Sequence, residues 1–418
     1  MPVRRDFLKI SGLAGLAVIN NNFMNAFANN AATPPHVSAS TSIIGQYGEW
    51  AAGLRNNKLP SHSFLNSKFK NTDAWRTEAR ELTISRMGVP DIGSTPKVKV
   101  IKQYNYDGLH VEELSWQLPY GRATNAILLK PENATGRLPG ILAFHDHSGD
   151  KYFGTRKITK TSEDQHPMMA QHQTDYYSGK AWANEIAKKG YVVLVPDAFT
   201  FASRRVMMQD VPEELRKGLT DENPENPANI DAYNKWAFDH EHVMAKSLFC
   251  AGTTWPAVFF AEDRIALDIL CARNDVDKDK VGCGGLSGGG IRTDYMAGLD
   301  PRIKCSVTVG FMSTWKDFLL NKSYTHTWMT YVPLLPNELD YPEILGLRAP
   351  LPSLVLFDKD DFLFTMPEMK ASDELLKKIY AKAGAPDRYK GSFYPGPHKF
   401  DAGMQQEAFQ WFDKWLKS

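Results

Sequence analysis

The sequence predicts an α/β fold, with a mostly parallel central sheet flanked by helices. Three observations carry this. Short continuous apolar runs recur after residue 138, helical patterns sit between them, and glycine or proline marks many of the joins. Continuous apolar runs suit strands buried on both faces, whereas half-exposed strands alternate. Alternating strand and helix implies parallel strands, right-handed crossovers, and functional groups gathered at the strands' carboxyl ends.

In chain order, residues 1–28 read as an export leader. Arg4-Arg5 stands in Val3-Arg4-Arg5-Asp6-Phe7-Leu8-Lys9, an apolar stretch runs from Ile10 to Ile19, and Ala26-Phe27-Ala28 offers a cleavage site. Paired arginines indicate the twin-arginine route. The apolar stretch falls short of the ~20 residues a membrane span needs. The expectation is a mature protein in the periplasm or outside the cell, with no membrane span.

Residues 29–108 read as an N-terminal tether and extension, with a helical pattern from Thr72 to Met87 and a half-exposed strand from Lys97 to Tyr104. Residues 109–418 read as one catalytic domain. Its strands are expected at Leu109–Trp116, Ala123–Lys130, Gly140–Phe144, Tyr191–Val195, Val281–Gly284, Cys305–Val309 and Leu354–Phe357. Its helices are expected at Ala181–Lys189, Phe259–Arg273, Pro367–Ala383 and Met404–Leu416. Two polar stretches, 206–249 and 312–347, break the rhythm and read as insertions over the active-site edge.

Composition excludes several classes. Lys+Arg is 49 and Asp+Glu 48, so the basic surplus of a nucleic-acid binder is missing. Four cysteines without a C-x-x-C pair make neither a disulfide scaffold nor a zinc module, and buried free thiols are expected. Asp275-Val276-Asp277-Lys278-Asp279 lacks the glycine and terminal glutamate of a calcium loop. His240-Glu241-His242 lacks the spacing that sets two metal ligands on one helical face. His145 and His147 have no evident third ligand, so no metal or cofactor is assigned.

The chemistry centres on Gly285-Leu286-Ser287-Gly288-Gly289, between a buried-type strand and a helical pattern. A serine at a sharp strand-to-helix turn stands exposed, and small residues two before and two after relieve crowding. Such a serine needs a base and an acid that orients the base, in the chain order Ser, Asp, His. His398, before the last helix, is the candidate base. Asp361, after the strand at Leu354–Phe357, is the preferred acid, with Asp360 the competitor and Asp358 less favoured for its closeness to the strand. The amide of Gly288 is the expected first oxyanion donor. The second should come from the loop His145-Asp146-His147-Ser148-Gly149, from His147 by preference and Asp146 otherwise. Trp236, Trp315, Trp328 and Tyr331 in the insertions are candidates for sugar stacking or for core packing, and Arg204 and Arg205 for lining the site or, by preference, for ion pairs with acids.

These strings, with Gly190-Tyr191-Val192-Val193, Pro196-Asp197, Asp300-Pro301-Arg302-Ile303 and Gly396-Pro397-His398-Lys399-Phe400, resemble the α/β-hydrolase superfamily from about Leu109 to Ser418. Within it the chain is similar to the dienelactone-hydrolase-like and acetyl xylan esterase-like branch, which includes esterase-like proteins associated with polysaccharide-uptake systems. The resemblance implies an α/β-hydrolase fold and an exported serine esterase that cleaves carboxylic esters, acetyl esters of carbohydrates foremost, through a Ser-His-Asp triad and an acyl-enzyme. Glucuronoyl esterases resemble the chain too, but carry arginine directly after the nucleophile, where this sequence has Gly288. Two alternatives share the strings. One is a serine peptidase of prolyl-oligopeptidase type, for whose propeller the N-terminal region is too short. The other is a catalytically inactive carbohydrate-associated accessory protein.

Overall fold

A computed structural model describes residues 42–54, 59–221 and 225–418. The expected leader and the start of the tether lie outside the described residues. The sheet has nine strands: β1 (Lys99–Tyr106), β2 (Leu109–Trp116), β3 (Thr124–Pro131), β4 (Leu138–Phe144), β5 (Val192–Pro196), β6 (Val276–Leu286), β7 (Ile303–Val309), β8 (Ser353–Asp358) and β9 (Tyr389–Tyr394). Their order is β1-β2-β3-β5-β4-β6-β7-β8-β9. The pairs β1–β2, β2–β3 and β3–β5 are antiparallel, and every pair from β5 to β9 is parallel.

The helices that position the site are α1 (Thr72–Met87), α2 (Pro167–Tyr177), α3 (Trp182–Ala187), α4 (Pro227–Asp239), α5 (Glu241–Cys250), α6 (Trp255–Cys271), α7 (Gly288–Leu299), α8 (Tyr341–Gly346), α9 (Met366–Lys382) and α10 (Ala402–Leu416). Their ends follow local chemistry. Asn71, Thr254 and Asp401 accept first-turn amides of α1, α6 and α10, and Gly88 closes α1 with a φ of 67°.

Alternate residues of each central strand serve opposite faces. Leu142 and Phe144 of β4 join Leu267 and Ile291 on one side. Ile141 and Ala143 join Trp182, Phe409 and Phe412 on the other. Both faces are therefore dry, which explains why these strands read as unbroken apolar runs. The sheet starts ahead of Leu109, because β1 pairs along β2, and Phe64 and Trp75 of the extension stack at 4.5 Å inside the core.

The two insertions are ordered rather than loop-like. The first carries α4 and α5, with Ile230, Tyr233 and Trp236 packed on Tyr152 and Phe153. The second packs Trp315, Phe318 and Tyr341 into the main core. Cys283 and Cys305 are buried free thiols, Cys271 is half-buried, and Cys250, at the end of α5, is exposed. Among the described residues no helix is long and apolar enough to cross a membrane.

One buried ion pair ties α7 to α6. Arg292 makes two bonds to Asp263, at 2.9 and 2.6 Å, while its guanidinium lies 4.3 Å from the centre of the Phe144 ring. Removing one partner of such a pair strands a buried charge. Asp263→Ala is expected to lower stability by about 3–5 kcal/mol. Urea unfolding of the two proteins measures the difference.

Candidate active site

Ser287 stands between the end of β6 and the start of α7, with φ 59° and ψ −115°. A positive φ is costly for a residue with a side chain, and such strain persists only where the surroundings enforce it. Here the Ser287 amide donates to Val309 O at 2.9 Å, which pins the turn to β7. The flanking glycines are a steric requirement. A Cβ at residue 285 would stand 2.4 Å from Phe144 O, and one at residue 289 would stand 2.5 Å from the same oxygen. A Cβ at residue 288 would lie 3.0 Å from both the amide nitrogen and the Cβ of His147. The candidate oxyanion loop therefore packs directly on the serine turn. As a first-turn residue, Gly288 has an amide with no partner four residues back, at the positive end of α7.

His398 follows β9. Its Nδ1 lies 2.7 Å from Asp361 Oδ2, and Asp361 Oδ1 accepts the Leu363 amide at 2.9 Å. Asp361 is buried, whereas its neighbour Asp360 is exposed and accepts the Gly396 amide at 2.8 Å. The structure thus brings Asp361 to the imidazole and turns Asp360 away. Because a carboxylate only accepts, Nδ1 carries the proton and Nε2 keeps a free electron pair. Burial pulls the His398 pKa down, but the bond to Asp361 and its charge outweigh this, and the net shift is upward. Asp358 Oδ2 accepts the Lys399 amide at 3.1 Å, and its carboxyl is pushed up to about 7, chiefly by burial. Ligand-type atoms of Asp358, Asp361 and His398 lie within 4.8 Å of one another, though His398 and Asp361 already occupy each other.

Ser287, Gly288, His147 and His398 line one cavity of about 600 Å³. Tyr176, Phe238, Phe311, Phe362 and Leu363 give it an aromatic and apolar wall, and among the described residues no Lys or Arg lines it. His326 donates to Leu363 O at 2.8 Å, and burial lowers its pKa to about 4, so it adds no charge. The aromatics singled out by sequence are elsewhere. Trp236 and Trp315 are core residues, and neither Trp328 nor Tyr331 lines the cavity. Of the two arginines, Arg204 pairs with Glu262 at 2.6 Å, while Arg205 lies over the Tyr152 ring and has no ion pair among the described residues.

Both histidines of the candidate oxyanion loop are held by protein at both nitrogens. His145 Nδ1 donates to Asp146 O at 3.0 Å and its Nε2 accepts the Ala198 amide at 3.1 Å. Burial, then Arg292 and Lys157, lower its pKa and keep it neutral. His147 Nδ1 accepts the Gly149 amide at 2.9 Å, so its Nε2 donates to Glu241 at 2.6 Å. This arrangement is structural support, with no ring nitrogen left for a metal.

Glu241 was not legible as a site residue. It is buried at the start of α5, and Lys151 lies 2.7 Å from the oxygen that takes His147. Its other oxygen accepts Thr327 Oγ1 at 2.6 Å and the Trp328 amide at 3.1 Å. One carboxylate therefore joins the candidate oxyanion loop to both insertions. Burial opposes its ionisation, but its interactions with His147 and Lys151 prevail and its pKa falls below the usual range. Asp146, the alternative oxyanion residue, points its carboxylate to His172 and Tyr177.

Comparison with known proteins places these features in a wider set. No protein-family model matches the chain. YtaP of Bacillus subtilis (strain 168), provisionally named a hydrolase, is 26% identical over 309 residues, covering 73% of this chain and 88% of YtaP. The structure of a provisionally named acetyl xylan esterase from Bacteroides fragilis NCTC 9343 superposes with a TM-score of 0.60 at 18% identity, covering 85% of each chain. Methylesterase BT1017 matches with a TM-score of 0.55 at 18% identity, over 88% of this chain and 67% of that one. A promiscuous CE15 esterase from a marine bacterial metagenome gives 0.55 at 14% identity, over 86% and 97%. With nine strands in the order found here, the chain has the α/β-hydrolase fold, in the form shared with acetyl xylan esterase-like and CE15 esterase structures.

Proposed function

We propose that the protein is an exported serine esterase acting on neutral carboxylic esters, acetylated carbohydrate being the preferred class. The observation that carries this is the sharing of one cavity by a strained-turn serine, an acid-oriented histidine, and two amides beside the serine. In this reading the Ser287 oxygen attacks the ester carbonyl carbon while its proton passes to His398 Nε2. The carbonyl oxygen takes the negative charge and receives hydrogen bonds from the amides of Gly288 and His147. Collapse breaks the bond to the alcohol, which leaves with the proton from His398. Water, deprotonated by the same nitrogen, then releases the acid and restores the serine. Asp361 keeps the imidazole in the tautomer the first step needs.

The cavity wall supports neutral substrates, since among the described residues no Lys or Arg lines it to receive a carboxylate, and Asp175 would repel one. Export rests on the leader pattern alone. It predicts that replacing Arg4 and Arg5 by lysine keeps the protein in the cytoplasm, as cell fractionation would reveal.

The direct test is hydrolysis of a chromogenic acetate ester together with labelling by a fluorophosphonate. The expected result is turnover and a single adduct on Ser287. Folded protein that neither turns over nor labels refutes the reading and favours an accessory role.

A pH profile follows from the histidine. The base must be neutral, and its folded pKa lies above the ordinary value of about 6.5. kcat/KM should therefore rise with pH and level off only above that value. A midpoint well under 6 would contradict the assignment of His398.

A further inference from the structure

We infer that Lys157 is a positioning residue for the oxyanion site: its ammonium grips the back of the peptide whose front presents the His147 amide. The inference rests on the esterase reading and deepens it. In a trans peptide the carbonyl of residue 146 and the N–H of residue 147 lie in one plane and point in opposite directions. Holding the carbonyl therefore aims the amide. Asp146 O receives two donors, Lys157 Nζ at 3.0 Å and His145 Nδ1 at 3.0 Å. That peptide cannot rotate without breaking both bonds. Gly288 adjoins this peptide so closely that a Cβ on it would stand 3.0 Å from the His147 nitrogen.

Lys157 spends all its hydrogen-bonding capacity on this loop. A lysine ammonium has three protons. Its three hydrogen-bond acceptors are Asp146 O, His147 O at 2.8 Å and Ser148 Oγ at 3.2 Å, all from consecutive residues. The residue is wholly buried, and its nearest carboxylate oxygen, on Asp146, is 3.7 Å away. Burying an ammonium is costly unless it is paired or well hydrogen-bonded, so a lysine here needs a reason that an apolar residue would not meet. The ring of Phe201 completes the seat. It lies 5.0 Å under the ammonium and edge-on to His145 and His147 at 5.1 and 5.5 Å. Lys157 itself is fixed by a short turn whose Thr155 amide donates to Asp197 at 2.8 Å. The His147 side chain is held separately by Glu241, so the amide is fixed from behind by Lys157 and from the side by Glu241.

The test compares an aryl acetate with the matching aryl thionoacetate, whose sulfur is a weak acceptor and draws little on an oxyanion site. Full-length wild type is expected to prefer the oxygen ester strongly. Lys157→Met should lower kcat on the oxygen ester by about 10²–10³-fold, as loss of one oxyanion donor does. KM should stay within about threefold, because the amide acts on the transition state. The preference for oxygen over sulfur should shrink by a similar factor. If Lys157→Met fails to fold, Lys157→Gln, which keeps a donor, should show the same change of preference in milder form. An equal loss on both esters, or unchanged kcat, overturns the inference while wild-type turnover leaves the esterase reading standing. No hydrolysis of either ester by wild type overturns the esterase reading itself, and the role of Lys157 with it.

Discussion

Ser287→Ala should lower kcat on an acetate ester by about 10⁴–10⁶-fold while KM and the melting curve stay near those of the wild type. The size of the loss follows from the mechanism. Without the hydroxyl there is no acyl-enzyme, and what remains is the electrostatic help of the amides at 147 and 288. The same position carries a second, thermodynamic signature. The alanine variant keeps the Cβ, and so keeps the strain of a φ of 59°. Ser287→Gly removes that strain and should be more stable than Ser287→Ala by about 1 kcal/mol, though equally inactive. Steady-state kinetics and paired denaturation curves test both statements. Retention of more than about a hundredth of wild-type kcat in either variant would exclude Ser287 as nucleophile.

The second large effect belongs to the acid. Asp361→Asn should cost about 10⁴-fold in kcat, because the amide side chain can donate to Nδ1 and so favour the wrong tautomer. It should also draw the midpoint of the pH profile downward, since the Asp361 bond and charge are what raise the His398 pKa against burial. Asp360→Asn should leave both nearly unchanged, as its carboxylate is exposed and accepts the Gly396 amide rather than the imidazole. Kinetics of the two variants across pH separate the neighbours. Equal losses would mean that the hydrogen bond at 2.7 Å is not the one that matters.

Much of this architecture could be read from residue order. The central strands are visible because burial on both faces leaves no polar positions. The serine turn is visible because glycine is demanded at both flanks by Phe144 O. β9 escaped the pattern, since Tyr389-Lys390-Gly391-Ser392-Phe393-Tyr394 is an edge strand, mostly half-exposed, with lysine and glycine in it. Asp360 and Asp361 could be separated only in part, because consecutive turn residues face different ways and backbone direction is not written locally. The insertions read only as polar breaks in the rhythm because each buries its apolar residues against distant segments, such as Trp236 with Tyr152. Glu241 lay hidden for a related reason. Its partners are 94 residues upstream at His147 and 86 residues downstream at Thr327, and no short-range spacing rule reaches them.

That carboxylate also sets the unit in which this protein can be re-engineered. The segment from 206 to 249 looks like a cassette that could be exchanged to alter which alcohol or acyl group is admitted. Glu241 makes it inseparable from the loop beneath. A donor segment without a glutamate at that place would leave the Lys151 ammonium and the His147 ring unmatched in a dry interior. A workable graft must carry Glu241, His147, Lys151 and Thr327 together, as one module spread over three stretches of chain.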